Sequence, residues 1–161
     1  MQPENIMFVC QGNICRSPLA QALFEHLLQK RGIADRYRVD STGVSSYHVG
    51  ESADRRMREI ASRHGVDIRH RARAVSRHDL ETCDLILAMD RDNFSVLRRQ
   101  ARTDRQRDKI RMFRDFDPEA NGEIDVPDPW YGGRHGFENV FHIVERTCEA
   151  MVDRLEGDSS S

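Results

Sequence analysis

Short apolar runs alternate along this chain with longer amphipathic stretches. Residues 6–9 (Ile, Met, Phe, Val) form a continuous apolar run of strand length, as a parallel strand covered on both faces requires. Leu19, Ala20, Leu23, Phe24, Leu27 and Leu28 then recur at helical spacing, which predicts a helix over 17–29 with Gly32 as its stop. Residues 37–40 read as a second strand ending in the polar turn Ser41-Thr42-Gly43, and 53–63 as a helix with Met57, Ile60 and Ala61 inward. Residues 72–75 read as extended, Ser76 as the cap of a short helix at 78–81, and 84–89 as a third strand apolar enough to be central. Asp90 caps a helix to about residue 99, residues 102–109 are charged and exposed, and 110–113 form a weak fourth strand. Residues 115–133, rich in proline, glycine and acids, predict a long loop of the kind that carries function. The last helix, 136–155, places Phe137, Val140, Phe141, Val144, Cys148, Met151 and Leu155 on one stripe. Strands alternating with helices predict an α/β fold, a parallel sheet covered on both faces. Ligands then bind beyond the C-terminal ends of the strands, where Cys10 lies.

At 161 residues the chain suits one domain, taken as 1–156 with a flexible polar tail at 157–161. Charged residues make up 32% of it, yet the formal net charge is only −2, which argues against nucleic acid as a partner. No apolar run approaches membrane-spanning length, so no membrane association is expected. Four cysteines without a secretory pre-sequence point to a reducing cytoplasm. The basic stretch Arg98, Arg99, Arg102, Arg105 and Arg107 is broken by Asp104 and Asp108 and reads as a solvated face.

The run Cys10-Gln11-Gly12-Asn13-Ile14-Cys15-Arg16-Ser17-Pro18 joins the first strand to the first helix, with Pro18 suited to a first helical turn. A loop feeding a helix N-terminus binds anions, because its backbone N–H groups lack internal partners and carry partial positive charge. Such a site favours the thiolate of a cysteine that faces it. The Cys-x5-Arg spacing lets one loop (Gln11, Gly12, Asn13, Ile14, Cys15, Arg16, Ser17) wrap a tetrahedral dianion while Arg16 offers two phosphate oxygens a planar fork. Gly12 permits close approach, Asn13 tolerates a left-handed conformation and can tie the loop together, and Ser17 can donate to the thiolate. A lone cysteine after a strand is ordinarily a small core residue; the Gly-Asn loop and the arginine reverse that reading. A phosphoester also needs its leaving oxygen protonated, and Asp128 in Val126-Pro127-Asp128-Pro129-Trp130-Tyr131 is the candidate general acid. An Asp before Pro is ordinarily only a turn, but this one sits in a long loop beside two aromatics. Trp130 and Tyr131 as site walls would favour an aromatic phosphate ester by stacking. Cys15 has two open readings, a packing residue or a resolving thiol that closes a reversible disulfide with Cys10. Cys83 and Cys148 read as core. Zinc is not expected, since Cys-x4-Cys lacks a matching second pair, and no cofactor is called for.

These residues resemble the low-molecular-weight protein tyrosine phosphatase family over about residues 5–155. The motifs are the Cys10–Pro18 loop, Val39-Asp40-Ser41, Ala88-Met89-Asp90 and Asp128-Pro129-Trp130-Tyr131. The resemblance implies a single-domain three-layer sandwich with a four-stranded parallel sheet flanked by helices. It implies Cys10 as nucleophile, Arg16 as phosphate clamp and Asp128 as general acid and later base. Asn13, Ser17, Ser41 and His70 match positions that brace the phosphate loop. Gln11 matches the crevice rim, Tyr47, Trp130 and Tyr131 match the crevice walls, and Asp90 and Asn93 match positions that hold neighbouring structure. The substrate implied is a phosphotyrosine protein, with a tyrosine kinase among the candidates, and the product is inorganic phosphate; a monomer is the default. Gln11 stands where the family usually has an apolar or small residue, and Trp130 replaces the first tyrosine of a frequent Asp-Pro-Tyr-Tyr run. A non-catalytic phosphotyrosine-binding module is disfavoured because cysteine, arginine and acid are all present. Arsenate reduction is disfavoured because Cys83 lacks a nearby second cysteine.

Overall fold

Opposite facing of successive side chains along one central strand organises the molecule. The computed structural model describes residues 4–131 and 133–159, with the main chain alone at 131, 133, 134, 158 and 159. Strand β1 (Glu4–Cys10) lies between β2 (Tyr37–Gly43) and β3 (Leu85–Ala88), and β4 (Ile110–Met112) pairs with β3. All pairings are parallel, in the order β2-β1-β3-β4. Because strand side chains alternate in direction, Ile6 and Phe8 join one core cluster, with Leu19, Phe24, Phe113 and Phe141. Met7 and Val9 join the other, with Leu80, Ile86, Leu97 and Met112. A strand buried on both faces has no place for a polar residue, and 6–9 has none. Helices α1 (Arg16–Lys30) and α6 (Gly133–Ser159) supply the first cluster, together with α2 (Arg55–Arg63). Helices α3 (Arg77–Thr82) and α4 (Arg91–Gln100) supply the second, and α5 (Asp104–Lys109) leads into β4. The four-stranded parallel sheet flanked by helices is thus as expected. The chain runs from β1 to β2 on one side and returns to β3 on the other. The end of β1, at Cys10, therefore lies where an open α/β sheet forms its binding crevice.

The structure departs from the sequence reading in three places. Ser41-Thr42-Gly43 is not a turn but the end of β2, paired with Phe8, Val9 and Cys10. Ser41 and Thr42 are fully buried there, their polarity satisfied by partners distant in sequence. Gly43 is required by close approach, since a Cβ would stand 2.9 Å from the Gln11 carbonyl oxygen and 3.1 Å from Asn13 N. Residues 72–75 run beside the end of β2 as the extended reading expected, with a parallel bridge from Gly43 to Ala74, Gly43 N donating to the Arg73 carbonyl and Val75 N to the Gly43 carbonyl. The charged stretch 102–109 contains α5, capped by Thr103, whose Oγ1 accepts from Gln106 N. The long loop holds two 3-10 turns, Phe113–Phe116, which begins at the end of β4, and Pro129–Tyr131.

One buried carboxylate ties that loop to α6. Asp117 has no exposed side-chain surface and accepts from Arg114 Nε (3.0 Å), Arg146 Nε (2.8 Å), Arg146 Nη2 (2.9 Å) and Glu119 N (2.9 Å). Burial pushes its carboxyl up, but Arg146, Glu119 N–H and Arg114 outweigh burial and hold it down at about 2. The folded protein therefore binds fewer protons here than the unfolded chain. This contribution is complete above the ordinary aspartate range and is lost as pH falls from about 4 through about 2. Asp117→Asn should lower unfolding free energy at neutral pH by about 3 kcal/mol, because it leaves two arginines facing a neutral amide. It should also flatten the acid limb of stability measured by urea titration; a wild-type acid limb in the variant would contradict the assignment.

Candidate active site

The loop after β1 closes around its own first residue. Asn13 takes a left-handed conformation (φ 59°), which turns its backbone N–H back to Cys10 Sγ at 3.3 Å. Ser17 Oγ lies 2.9 Å from the same sulfur. Ser17 has one proton to give and faces both Sγ and the Thr42 carbonyl (3.3 Å), so a thiolate at Cys10 draws that proton to itself. Asn13 holds the loop through both ends of its side chain. Its Nδ2 donates to Ser17 Oγ (2.8 Å) and Ser41 Oγ (3.0 Å). Its Oδ1 accepts from Arg73 N (3.0 Å) and faces His70 Nε2 at 2.8 Å. An amide oxygen only accepts, so His70 Nε2 carries the hydrogen. Burial pushes His70 down, against the pull of Asp40. All four predicted braces, Asn13, Ser17, Ser41 and His70, therefore converge in one network.

Arg16 enters from the first residue of α1 with 4% of its side chain exposed. Its Nη1 donates to Asp90 Oδ2 (2.7 Å) and to the Val126 carbonyl (3.0 Å). Burial opposes its charge, but the fields of a Cys10 thiolate and of the Asp90 carboxylate prevail and raise it above its ordinary range. Cys15 differs from its neighbour in the loop: burial, then the charges of Asp54 and Cys10, push its thiol up to about 12. A thiol held that high stays protonated and is a poor nucleophile at neutral pH.

Cys10, Gln11, Gly12, Ile14, Cys15 and Arg16 line a cleft of about 650 Å³ with Ser45, Tyr47, His48, Asp128 and Trp130. Gln11 sits exposed on its rim. Asp128 Oδ1 accepts from Trp130 N (3.0 Å), which sets the acid and the aromatic wall on one turn. Arg56 lies 5.0 Å from the Trp130 ring centre and 4.3 Å from that of Phe137, backing the wall with a cation. Asp54, the N-cap of α2, ties Arg56 down through Nε and Nη2. Tyr47 also lines the cleft and is 85% exposed. The predicted wall residue Tyr131 has its side chain outside the described residues. Asp90 caps α4 through Asn93 N (2.8 Å) while gripping Arg16, and the Asn93 side chain is fully buried. A second cavity of about 360 Å³ lies between α1 and residues 65–70, and its lining includes neither Cys10 nor Asp128.

Three groups escaped the sequence reading. Gln21 takes the Ser41 hydroxyl proton on Oε1 (2.7 Å) and donates from Nε2 to Glu25 (2.9 Å). Its place one helical turn after Ser17 was the available signal. Arg73 clasps Asp40 Oδ2 (2.6 Å) and Asp79 Oδ1 (2.9 Å) while its backbone N–H holds Asn13. Within a run dense in arginine, nothing local sets it apart. His48 lines the cleft, with its Nδ1 2.7 Å from Glu51 Oε2, and no motif in the sequence marks it.

The arrangement offers a sulfur nucleophile in a cradle of N–H groups, a buried guanidinium for a dianion, and a carboxyl across the same cleft. Comparisons with known proteins agree with that chemistry. The family model described as low molecular weight phosphotyrosine protein phosphatase matches residues 5–161. A low molecular weight protein-tyrosine-phosphatase of Streptomyces coelicolor is 42% identical over 157 residues, covering 94% of this chain and 96% of that protein. The low molecular weight phosphotyrosine protein phosphatase of Rattus norvegicus is 36% identical over 152 residues, covering 94% and 95% respectively. A solved structure of a protein tyrosine phosphatase from Entamoeba histolytica, with Hepes in its active site, superposes with a TM-score of 0.91 at 37% identity, covering 97% of this chain and 99% of that one. This chain belongs to the low molecular weight phosphotyrosine protein phosphatase family.

Proposed function

We infer that this protein is a cysteine-dependent phosphatase that hydrolyses phosphotyrosine esters through a phosphocysteine intermediate. The observation that carries the reading is Cys10 Sγ held by Asn13 N–H and Ser17 Oγ at the floor of a cleft that Arg16 and Asp128 also line. The Cys10 thiolate attacks phosphorus in line, the P–O bond to the phenol breaks, and Asp128 delivers its proton to the leaving oxygen. Asp128, now a carboxylate, takes a proton from water as that water attacks the phosphocysteine, which releases inorganic phosphate and restores the thiolate. Arg16 and the loop N–H groups stabilise the equatorial oxygens throughout. These groups supply the positive charge that a metal supplies in other phosphatases. Trp130 and Tyr47 flank the entering aromatic ring.

The general acid is tested by leaving-group dependence. Asp128→Ala should slow phosphorylation of the enzyme about 10²- to 10⁴-fold for phosphotyrosine and phenyl phosphate, and much less for esters of acidic phenols. Equal loss with every leaving group would contradict the role. In this reading residues 1–156 form the catalytic domain, acting as a monomer in the cytoplasm, where Cys10 stays reduced. The substrate is a phosphotyrosine protein, with a tyrosine kinase one candidate. Cys15 is the redox partner: a peroxide oxidises Cys10 to a sulfenic acid, and the Cys15 thiol displaces water to close a disulfide.

A further inference from the structure

The phosphatase chemistry leaves His48, in the lining of the cleft, unused. His48 follows Tyr47 on the segment beyond β2, and its ring packs so closely on the phosphate loop that a Cβ at Gly12 would stand 2.9 Å from His48 Cδ2. Tyr47 meets the imidazole edge-on, with ring centres 4.8 Å apart. Glu51 Oε2 lies 2.7 Å from Nδ1. A carboxylate only accepts, so Nδ1 carries the hydrogen and the neutral ring offers Nε2 as an acceptor. Nε2 has no hydrogen-bond partner among the described residues, while the side chain is 26% exposed. The ring is thus held by Gly12, Tyr47 and Glu51, and the residue lines the cleft. An aryl phosphate needs only the loop, Arg16, Asp128 and the aromatic walls. A peptide substrate must also carry its main chain past this rim.

We propose that His48, oriented by Glu51, is a specificity-determining residue that accepts a main-chain N–H of the substrate beside the phosphotyrosine and so favours phosphotyrosine in a polypeptide over a free aryl phosphate. The proposal rests on the phosphatase reading above. Its test is kcat/KM for one phosphotyrosyl peptide and for p-nitrophenyl phosphate, in wild type and in H48A, H48Q and E51Q. The readout is the ratio of the two, which a general loss of activity or of folded protein leaves unchanged. The ratio should fall about five- to tenfold in H48A, mainly through the peptide KM. H48Q, which keeps an acceptor of similar reach, should recover part of it, and E51Q should fall between. N-methylation of the peptide at the phosphotyrosine and the following residue should cost wild type about as much as H48A does, and cost H48A little. An H48A ratio within about twofold of wild type, or equal N-methylation losses in both proteins, overturns the proposal. Failure of wild type to hydrolyse either substrate would overturn the phosphatase reading and the proposal together; hydrolysis of both with unchanged ratios overturns the proposal alone.

Discussion

Cys10→Ser should reduce turnover by about 10⁴-fold or more, with phosphate binding retained. The two halves of this expectation have different causes. Turnover depends on a thiolate, and a serine alkoxide is far harder to form in a site that offers Cys10 no base, only the Asn13 N–H and the Ser17 hydroxyl. Anion binding depends on groups the substitution leaves intact, namely the loop N–H groups at the start of α1 and the Arg16 guanidinium. Isothermal titration with inorganic phosphate beside an assay with p-nitrophenyl phosphate separates the two. Loss of both together would mean that the loop collapsed, and retained turnover would remove Cys10 from the mechanism. Cys15→Ser is the internal control. Its thiol is pushed up to about 12 and takes no part in attack, so turnover should change far less than with Cys10→Ser.

Arg16→Lys should cost about 10³-fold or more in kcat/KM, mostly in kcat, although the charge is kept. Nη1 is already engaged by Asp90 and the Val126 carbonyl, so phosphate must be met by the remaining N–H groups of the same planar fork. A lysine ammonium is one point charge; it can stay with Asp90 or reach the phosphate, but it cannot do both in a fixed plane. The charge that moves onto the equatorial oxygens in the transition state then loses its matched donors. Asp90→Asn should produce a smaller version of the same defect, because it frees the fork to turn. A lysine variant with kcat within tenfold of wild type would show that charge alone suffices and that the fork is not the clamp.

The site's chemistry was legible where it is local. Cys10, Arg16, Ser17 and Pro18 lie on one strand–loop–helix unit, and the short spacing itself dictates the cradle. Asp128 was legible only in company: an Asp before Pro is ordinarily a turn, and the need of the Cys-x5-Arg loop for an acid singled it out; it lines the same cleft as that loop. What stayed hidden is long in sequence separation. Arg73 reaches Asn13 across sixty positions by a backbone N–H, which no side chain advertises. Ser41 and Thr42 read as a turn because a buried polar residue looks like an exposed one until its partner is known; here the Ser41 hydroxyl meets Asn13 and Gln21, and the Thr42 hydroxyl donates to Met7 Sδ. The Asp117 clasp was missed for the same reason, since its arginines lie on different elements. The apolar pattern, by contrast, located the four strands along the chain, because a sheet covered on both faces leaves its record in every central residue; their order in the sheet, β2-β1-β3-β4, came from the structure.

The account rests on a phosphoryl group passing through sulfur. The most direct test is rapid acid-free quenching of wild type during turnover of a ³²P-labelled phosphotyrosyl peptide, followed by mapping of the labelled residue. The account predicts transient label on the Cys10 sulfur, greater at early times than late, and none in Cys10→Ser. Full turnover with no labelled cysteine, or label mapped to another residue, would contradict it.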